Sequence, residues 1–223
     1  PSRLDGRDVI AVAHTPVLRE ERISDLVDKK YIARVDRVII RTPIVRGVHA
    51  SLNPFKYAIM LRIFEHHIGL DEDCIVFFHS ISSLCFAHEY FHRKLGSGKV
   101  FGPMYEKTSM ETRSKMVADF QCMGGILFVS EGTGDEGINL LPRDKGEGGN
   151  VGKIHYVRAE TATASFRSEA QSIGRVHRGK GPHWAYIIAD AGSDEYARAK
   201  ARADHWSREG DYTQYIELPL QRS

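Results

Sequence analysis

Two short runs leave this chain little choice of fold. Cys74-Ile75-Val76-Phe77-Phe78 and Gly125-Ile126-Leu127-Phe128-Val129-Ser130 are nearly unbroken apolar stretches of strand length. A strand with one face in water alternates apolar and polar residues, whereas these runs carry no wet face at all. They suit the interior of a parallel sheet covered on both sides.

The chain around them supplies the covers. Residues 7–13 read as a short strand closed by His14-Thr15-Pro16, and residues 22–30 as a charged linker. A second unit begins at Tyr31. Residues 32–40 alternate like a strand with one wet face, and Arg34, Arg37, Arg41 and Arg46 read there as a solvated strand edge, with a nucleic-acid patch as the alternative. Asn53-Pro54 opens a helix carrying Ile59, Leu61, Ile63 and Phe64. Further helices are expected over 82–94, 109–121, 166–173 and 194–207, and further strands over 99–101, Ile154–Arg158, 184–189 and 212–217. Strand and helix thus alternate, which predicts an α/β fold: a parallel sheet with helices on both faces.

Composition narrows the class. With 223 residues and 42% apolar content the chain can bury one good core. Its 31 basic and 29 acidic residues give a net charge of +2, too mild to announce a nucleic-acid binder, so any such contact must come from local clustering. Cys74, Cys85 and Cys122 show no C-x-x-C spacing, and an odd count points to a reducing compartment. No apolar run approaches the roughly 20 residues that span a bilayer, so no membrane partner is expected. Opening on Pro1-Ser2-Arg3 without Met, the chain reads as part of something longer.

In doubly wound folds the chemistry sits in loops at the carboxyl ends of strands. Those loops are 79–80, 101–108, 130–140 and 161–165. Beyond the last stands Gln171-Ser172-Ile173-Gly174-Arg175-Val176-His177-Arg178. Arg175 and Arg178 lie about one helical turn apart, so both planar, permanently charged forks can face one phosphoryl group. Two surface arginines in a glycine-rich turn is the plainer reading, and four positions in register weigh against it.

Gln171, Gly174, Arg175 and Arg178 resemble motif VI of the superfamily 2 helicases, Q-x-x-G-R-x-x-R. Ser130-Glu131-Gly132-Thr133-Gly134-Asp135-Glu136-Gly137-Ile138-Asn139-Leu140 resembles motif V, and Ile75 through Ser80 resembles motif IV. Phe101-Gly102-Pro103, then Arg113 and Phe120, resemble the XPB subunit of transcription factor TFIIH. Val17-Leu18-Arg19-Glu20, Tyr31-Ile32-Ala33-Arg34-Val35, Asn53-Pro54 with Lys56, and Glu169-Ala170-Gln171 agree with that family. The likeness runs from about residue 15 to 217. It departs at Asn139 and Glu21, where the family has aspartate, in shorter segments around 21–31 and 43–52, and in a longer glycine-rich loop at 143–152.

The resemblance implies a RecA-like helicase C-terminal domain over 31–223, with 1–21 as the tail of a first RecA-like domain. It implies arginine-finger chemistry from Arg175 and Arg178 with Gln171, nucleotide contacts from Gly134, Asp135 and Glu136, and DNA-backbone contacts from Ser80, Arg113, Ser130 and Thr133. ATP and Mg2+ would be held mainly by the missing first domain. Non-sequence-specific DNA and TFIIH-like subunits would be partners, in transcription initiation and nucleotide excision repair, with a nuclear location, or a cytoplasmic one in a prokaryote. Gly146-Glu147-Gly148-Gly149-Asn150-Val151-Gly152-Lys153 is no phosphate-binding P-loop, because the spacing is wrong and a strand follows where a helix must. No D-E-x-H box occurs either. The chain reads as the half of a motor that supplies fingers but not the cradle.

One motif competes. His88-Glu89-Tyr90-Phe91-His92 spells H-E-x-x-H on an expected helix, with Glu111 as a conceivable third ligand, which is zinc-peptidase chemistry. Against it, His88 falls on the stripe of Leu84, Phe91 and Leu95, where a core histidine is simpler, and no metal site is expected. A RecA-like interaction module without motor function is the third reading. His66-His67 reads as a solvated helix end.

Overall fold

A computed structural model describes residues 28, 33–131, 133, 153–159, 182–208 and 213–217, the last as backbone only. Among these residues, seven strands form one sheet. They are β1 (Val35–Thr42), β2 (Asp73–Phe78), β3 (Val100–Met104), β4 (Ile126–Ser130), β5 (Ile154–Arg158), β6 (His183–Asp190) and β7 (Thr213–Glu217). Their order is β3-β4-β2-β5-β6-β1-β7, and every pairing is parallel. Four helices lie between them: α1 (Pro54–Gly69), α2 (Ile81–Leu95), α3 (Met110–Met123) and α4 (Asp194–Arg208).

The apolar runs do what their composition dictates. Along β2, Cys74, Val76 and Phe78 pack into the layer under α1 and α2, with Met60, Phe64, Leu84, Ala87 and Phe91. The alternate residues Ile75 and Phe77 pack on the other face with Phe120 of α3. Ile126 and Phe128 of β4 serve the first layer, and Leu127 and Val129 the second. With both faces covered, neither strand has a position where water could be met.

Local signals set the helix ends. Asn53 caps α1 by accepting from the Phe55 amide at 2.9 Å, and Pro54 occupies the first turn, where its missing N–H costs nothing. Ser80 and Ser109 cap α2 and α3 in the same manner. Gly125 cannot be replaced: with φ at +137°, an added Cβ would lie 2.4 Å from the Lys99 carbonyl oxygen.

β1 departs from expectation. It lies between β6 and β7, and all its residues but Arg41 are buried. The polar positions that suggested a wet face are turned to partners instead. Arg37, fully buried, holds its guanidinium 4.4 Å from the Trp206 ring centroid, and Arg41 lies 5.3 Å from that of Tyr196, both rings on α4. A delocalised cation over an aromatic face tolerates burial that an ammonium would resist.

Segment 1–21, the linker apart from Asp28, the expected strand 7–13 and the expected helix 166–173 lie outside the described residues. None of the described helices is long and apolar enough to cross a membrane.

Candidate functional site

The carboxyl edge of the sheet gathers the charged side chains. β2 ends at His79-Ser80, β4 at Ser130-Glu131 and β5 at Arg158-Ala159, and these three strands are neighbours. The Glu131 carboxylate at the β4 end reaches the other two. One carboxylate oxygen meets the Arg158 guanidinium and the other lies 3.3 Å from His79 Nδ1. Arg158 is fully buried, so its charge needs that partner. The expected motif IV and motif V loops are thereby wired together, by a residue that the spacing had not singled out.

A second network lies beside it, below the same edge. Lys56 of α1 is wholly buried, with Nζ 2.6 Å from Glu195 Oε2 and 3.6 Å from Asp190 Oδ1. It also donates to the Ala159 carbonyl at 3.0 Å. Asp190 Oδ1 accepts from Thr42 Oγ1 at 2.9 Å and from Asn53 Nδ2 at 2.8 Å. Five elements, β1, α1, β5, β6 and α4, are fixed to each other at one point. That point holds the carbonyl from which the chain runs on into residues 160–181.

The expected contact residues divide. Ser80 is half-buried at the corner, its Oγ 2.8 Å from Ser82 Oγ. Ser130 and Thr133 are buried, and their hydroxyls bond each other at 3.0 Å while Ser130 Oγ also accepts from the Thr133 amide. This is a local side-chain turn that starts the following segment, and it differs from two hydroxyls offered to a backbone in solvent. Arg113 is half-buried and clips its own loop, donating to the carbonyls of Thr108 (2.8 Å), Tyr105 (3.1 Å) and Glu106 (2.7 Å). Gln171, Arg175 and Arg178, with Gly134, Asp135 and Glu136, lie outside the described residues, as do Asn139 and the loop 143–152.

The two H-E-x-x-H histidines lie side by side, with ring centroids 5.7 Å apart, but among the described residues no third ligand joins them. His88 stands edge-on to Phe128 with ring centroids 5.8 Å apart, and Glu89 pairs with Arg93 on the exposed side of α2. Burial pushes the His88 imidazole down from its ordinary value, aided by His92.

His67 also departs from expectation: it is buried, not a solvated helix end. At the amino edge of the sheet, opposite the loops, its Nδ1 lies 2.8 Å from Glu72 Oε2 and its Nε2 2.9 Å from the Tyr186 hydroxyl. His155 stacks on it at 3.8 Å and places Nε2 2.9 Å from the same carboxylate oxygen. Among the described residues this is the one trio with donor atoms close enough to suggest a cation. The proton positions speak against it. His155 Nδ1 accepts from the Trp184 amide at 3.0 Å, so Nε2 must carry the hydrogen and cannot offer a lone pair to a metal. The trio is a hydrogen-bonded clamp, completed by Lys153 at 3.1 Å from Glu72 Oε1.

Burial alone raises the Glu72 carboxyl, but hydrogen bonds from His67 and Lys153 outweigh it and hold it down at about 2. Burial, reinforced by His67, pushes His155 down to about 3 against the pull of Glu72. Both folded-state values lie below the ordinary ones, so the unfolded chain binds more protons and acid favours it. Stability is therefore expected to be full above about pH 6.5 and to fall as pH drops toward 3. Urea midpoints measured across this range check it, with His155→Gln flattening the upper part. A midpoint that stays constant from pH 7 to 4 contradicts the clamp.

The whole fold superposes on solved helicase domains. The fold is a RecA-like α/β fold of the kind that forms the C-terminal domain of helicases. Over 97% of its length the chain superposes on a variant of S. cerevisiae Dbp5 bound to RNA and ADP BeF3, with a TM-score of 0.65 and 10% identity, covering 49% of that protein. It covers 48% of a DEAD box protein from the hyperthermophile Methanococcus jannaschii over 96% of its own length, at a TM-score of 0.59 and 13% identity. It also resembles domain 2 of the DEAD-box helicase Mss116p bound to an RNA duplex, at 0.57 and 13%, over 84% of this chain and 65% of that one. The chain thus spans about half the length of the first two proteins. The sequence matches no protein-family profile and no curated protein.

Proposed function

We propose that this chain is the second motor domain of an ATP-dependent DNA helicase or translocase of the XPB type. One observation carries the reading: the sheet delivers the motif IV corner and the motif V turn to neighbouring strand ends, joined through Glu131. The Dbp5 and Mss116p neighbours were solved with RNA, and the former with ADP BeF3 as well, which supports a nucleic-acid-binding reading. The motif VI spacing of Gln171, Arg175 and Arg178 supports a nucleotide at the cleft with a partner domain.

In this reading Ser80 and the α2 amino end accept the DNA backbone, while Ser130 and Thr133 shape the turn that leads to Gly134, Asp135 and Glu136. ATP with Mg2+ supplies the phosphoryl group for hydrolysis when bound. Arg175 and Arg178 bring fixed cationic forks to the charge that develops there, and Gln171 helps to orient them. Their guanidinia fit a phosphate donor set, and Lys56 anchors the strand end from which their segment departs. TFIIH-like partner subunits, a nuclear location and roles in repair and transcription initiation are the XPB side of the proposal, carried by the sequence segments that resemble that family.

Binding of the chain to single-stranded DNA is expected to be weak, independent of sequence and steeply weakened by salt, since phosphate contacts release counterions. Titration between 50 and 200 mM salt, about the range in which such contacts lose most affinity, checks it. Affinity that is flat with salt, or strongly dependent on base sequence, contradicts it.

A further inference from the structure

Between the 3-10 turn Ala50–Leu52 and the start of α2 lies a cavity of about 510 Å³, next to the motif IV corner. Its volume falls in the range of about 300–1,000 Å³ typical of small-ligand sites. His49, Ser51, Leu52, Ser80, Ser82 and Phe86 line it, and among the described residues no acidic side chain does. One wall is hydroxyl and imidazole, the other apolar and aromatic.

Phe86 is the unexpected member. The buried stripe of α2 runs through Leu84, Ala87 and Phe91, and Phe86 falls off it, 51% exposed. An aromatic ring there gains little from folding. It is nonetheless held, edge-to-face with Tyr57 at 5.9 Å and 75°, and Tyr57 in turn stacks on Phe91. On the opposite wall, His49 Nδ1 is engaged by Ser51 Oγ at 2.7 Å, which leaves Nε2 for a ligand.

A rigid, half-open aromatic face beside hydroxyls, with no carboxylate among the described lining residues, has the parts of a platform for one nucleotide unit. We infer that this cavity receives an unstacked nucleotide of a single strand, its base laid on Phe86 and its phosphate beside Ser80 and Ser82. The inference rests on the nucleic-acid reading above and deepens it: the strand would be gripped by a base as well as by its backbone. Stacking of this kind is indifferent to base identity, so it adds affinity without adding sequence preference.

The test uses the full chain and a fluorescent oligothymidylate, alongside the same oligonucleotide made abasic. Phe86→Ala is expected to weaken binding of the intact strand about tenfold, in the range of base–aromatic stacking. Phe86→Trp restores it, the abasic strand binds the unmodified protein as poorly as F86A binds the intact one, and the salt slope is the same throughout because no phosphate contact is lost. Exposed Phe86 lies on a helix, where alanine is a good former, so F86A is expected to keep the native circular dichroism. Unchanged affinity of F86A, with salt-dependent binding intact, overturns the base platform and leaves the backbone interface standing. An F86A loss that is equally large on the abasic strand also overturns it. Absence of any binding by the unmodified chain removes the nucleic-acid reading itself.

Discussion

Alanine at Arg175 or Arg178 is expected to cut DNA-stimulated ATP turnover about 10³-fold or more once the chain is joined to a first motor domain, by the measure of arginine fingers elsewhere. The chain alone is expected to show no turnover, since its sequence carries no P-loop and no D-E-x-H box. The charge that these residues neutralise grows in the transition state, so nucleotide affinity should change far less than rate. Lysine at either position should not rescue, because a point charge cannot reproduce a bidentate fork. Steady-state ATPase assays with and without DNA, together with nucleotide binding, separate these effects. Full turnover in both alanine variants would exclude the motif VI assignment and return the chain to a non-catalytic module.

The second large effect concerns folding. Lys56→Met replaces the buried ammonium by an apolar chain of similar length and removes its ion pairs with Glu195 and Asp190. Breaking a buried ion pair from one side costs about 3–5 kcal/mol, and urea unfolding of the chain should show a loss of that order. Combining Lys56→Met with Glu195→Gln removes the carboxylate charge while keeping the shape, and should recover part of the loss. A coupling near zero between the two substitutions would mean that the network is solvated rather than buried. The same comparison bears on function, because Lys56 also holds the Ala159 carbonyl at the head of the segment that carries the arginines.

The elements were legible where burial is two-sided and local signals are strong. The 82–94 helix is observed as Ile81–Leu95, and Ile154–Arg158 is observed as read. The apolar runs, the Asn53-Pro54 start and the serine caps each act within a few residues, so the sequence displays them directly. What escaped was long-range. Asp36, Arg37 and Arg41 mimic a wet strand face because the rings that cover Arg37 and Arg41 come from α4, far along the chain. His67 looked solvated because one of its partners, Tyr186, lies 119 positions away. In the site, the strand ends were legible from loop positions alone. Glu131 stands out in the sequence only as part of a motif, since nothing local says that Arg158 and His79 converge on it. Ser130 and Thr133 illustrate the reverse: short polar side chains after a strand look available, yet they satisfy one another.

The position of β1 has a consequence for how the chain is made. It is the first strand of the sheet, yet its two neighbours, β6 and β7, are the last two. Thr42 and its partner Asp190 are 148 positions apart. At a synthesis rate of about 5–20 residues per second, Val38, Ile39 and Ile40 wait about seven to thirty seconds for a strand to pair with. During that interval β2, β3 and β4 can already assemble, since their pairings close within a much shorter stretch. The nascent protein thus holds a half-sheet of β2, β3 and β4 beside a β1 that stays unpaired until β6 has left the ribosome.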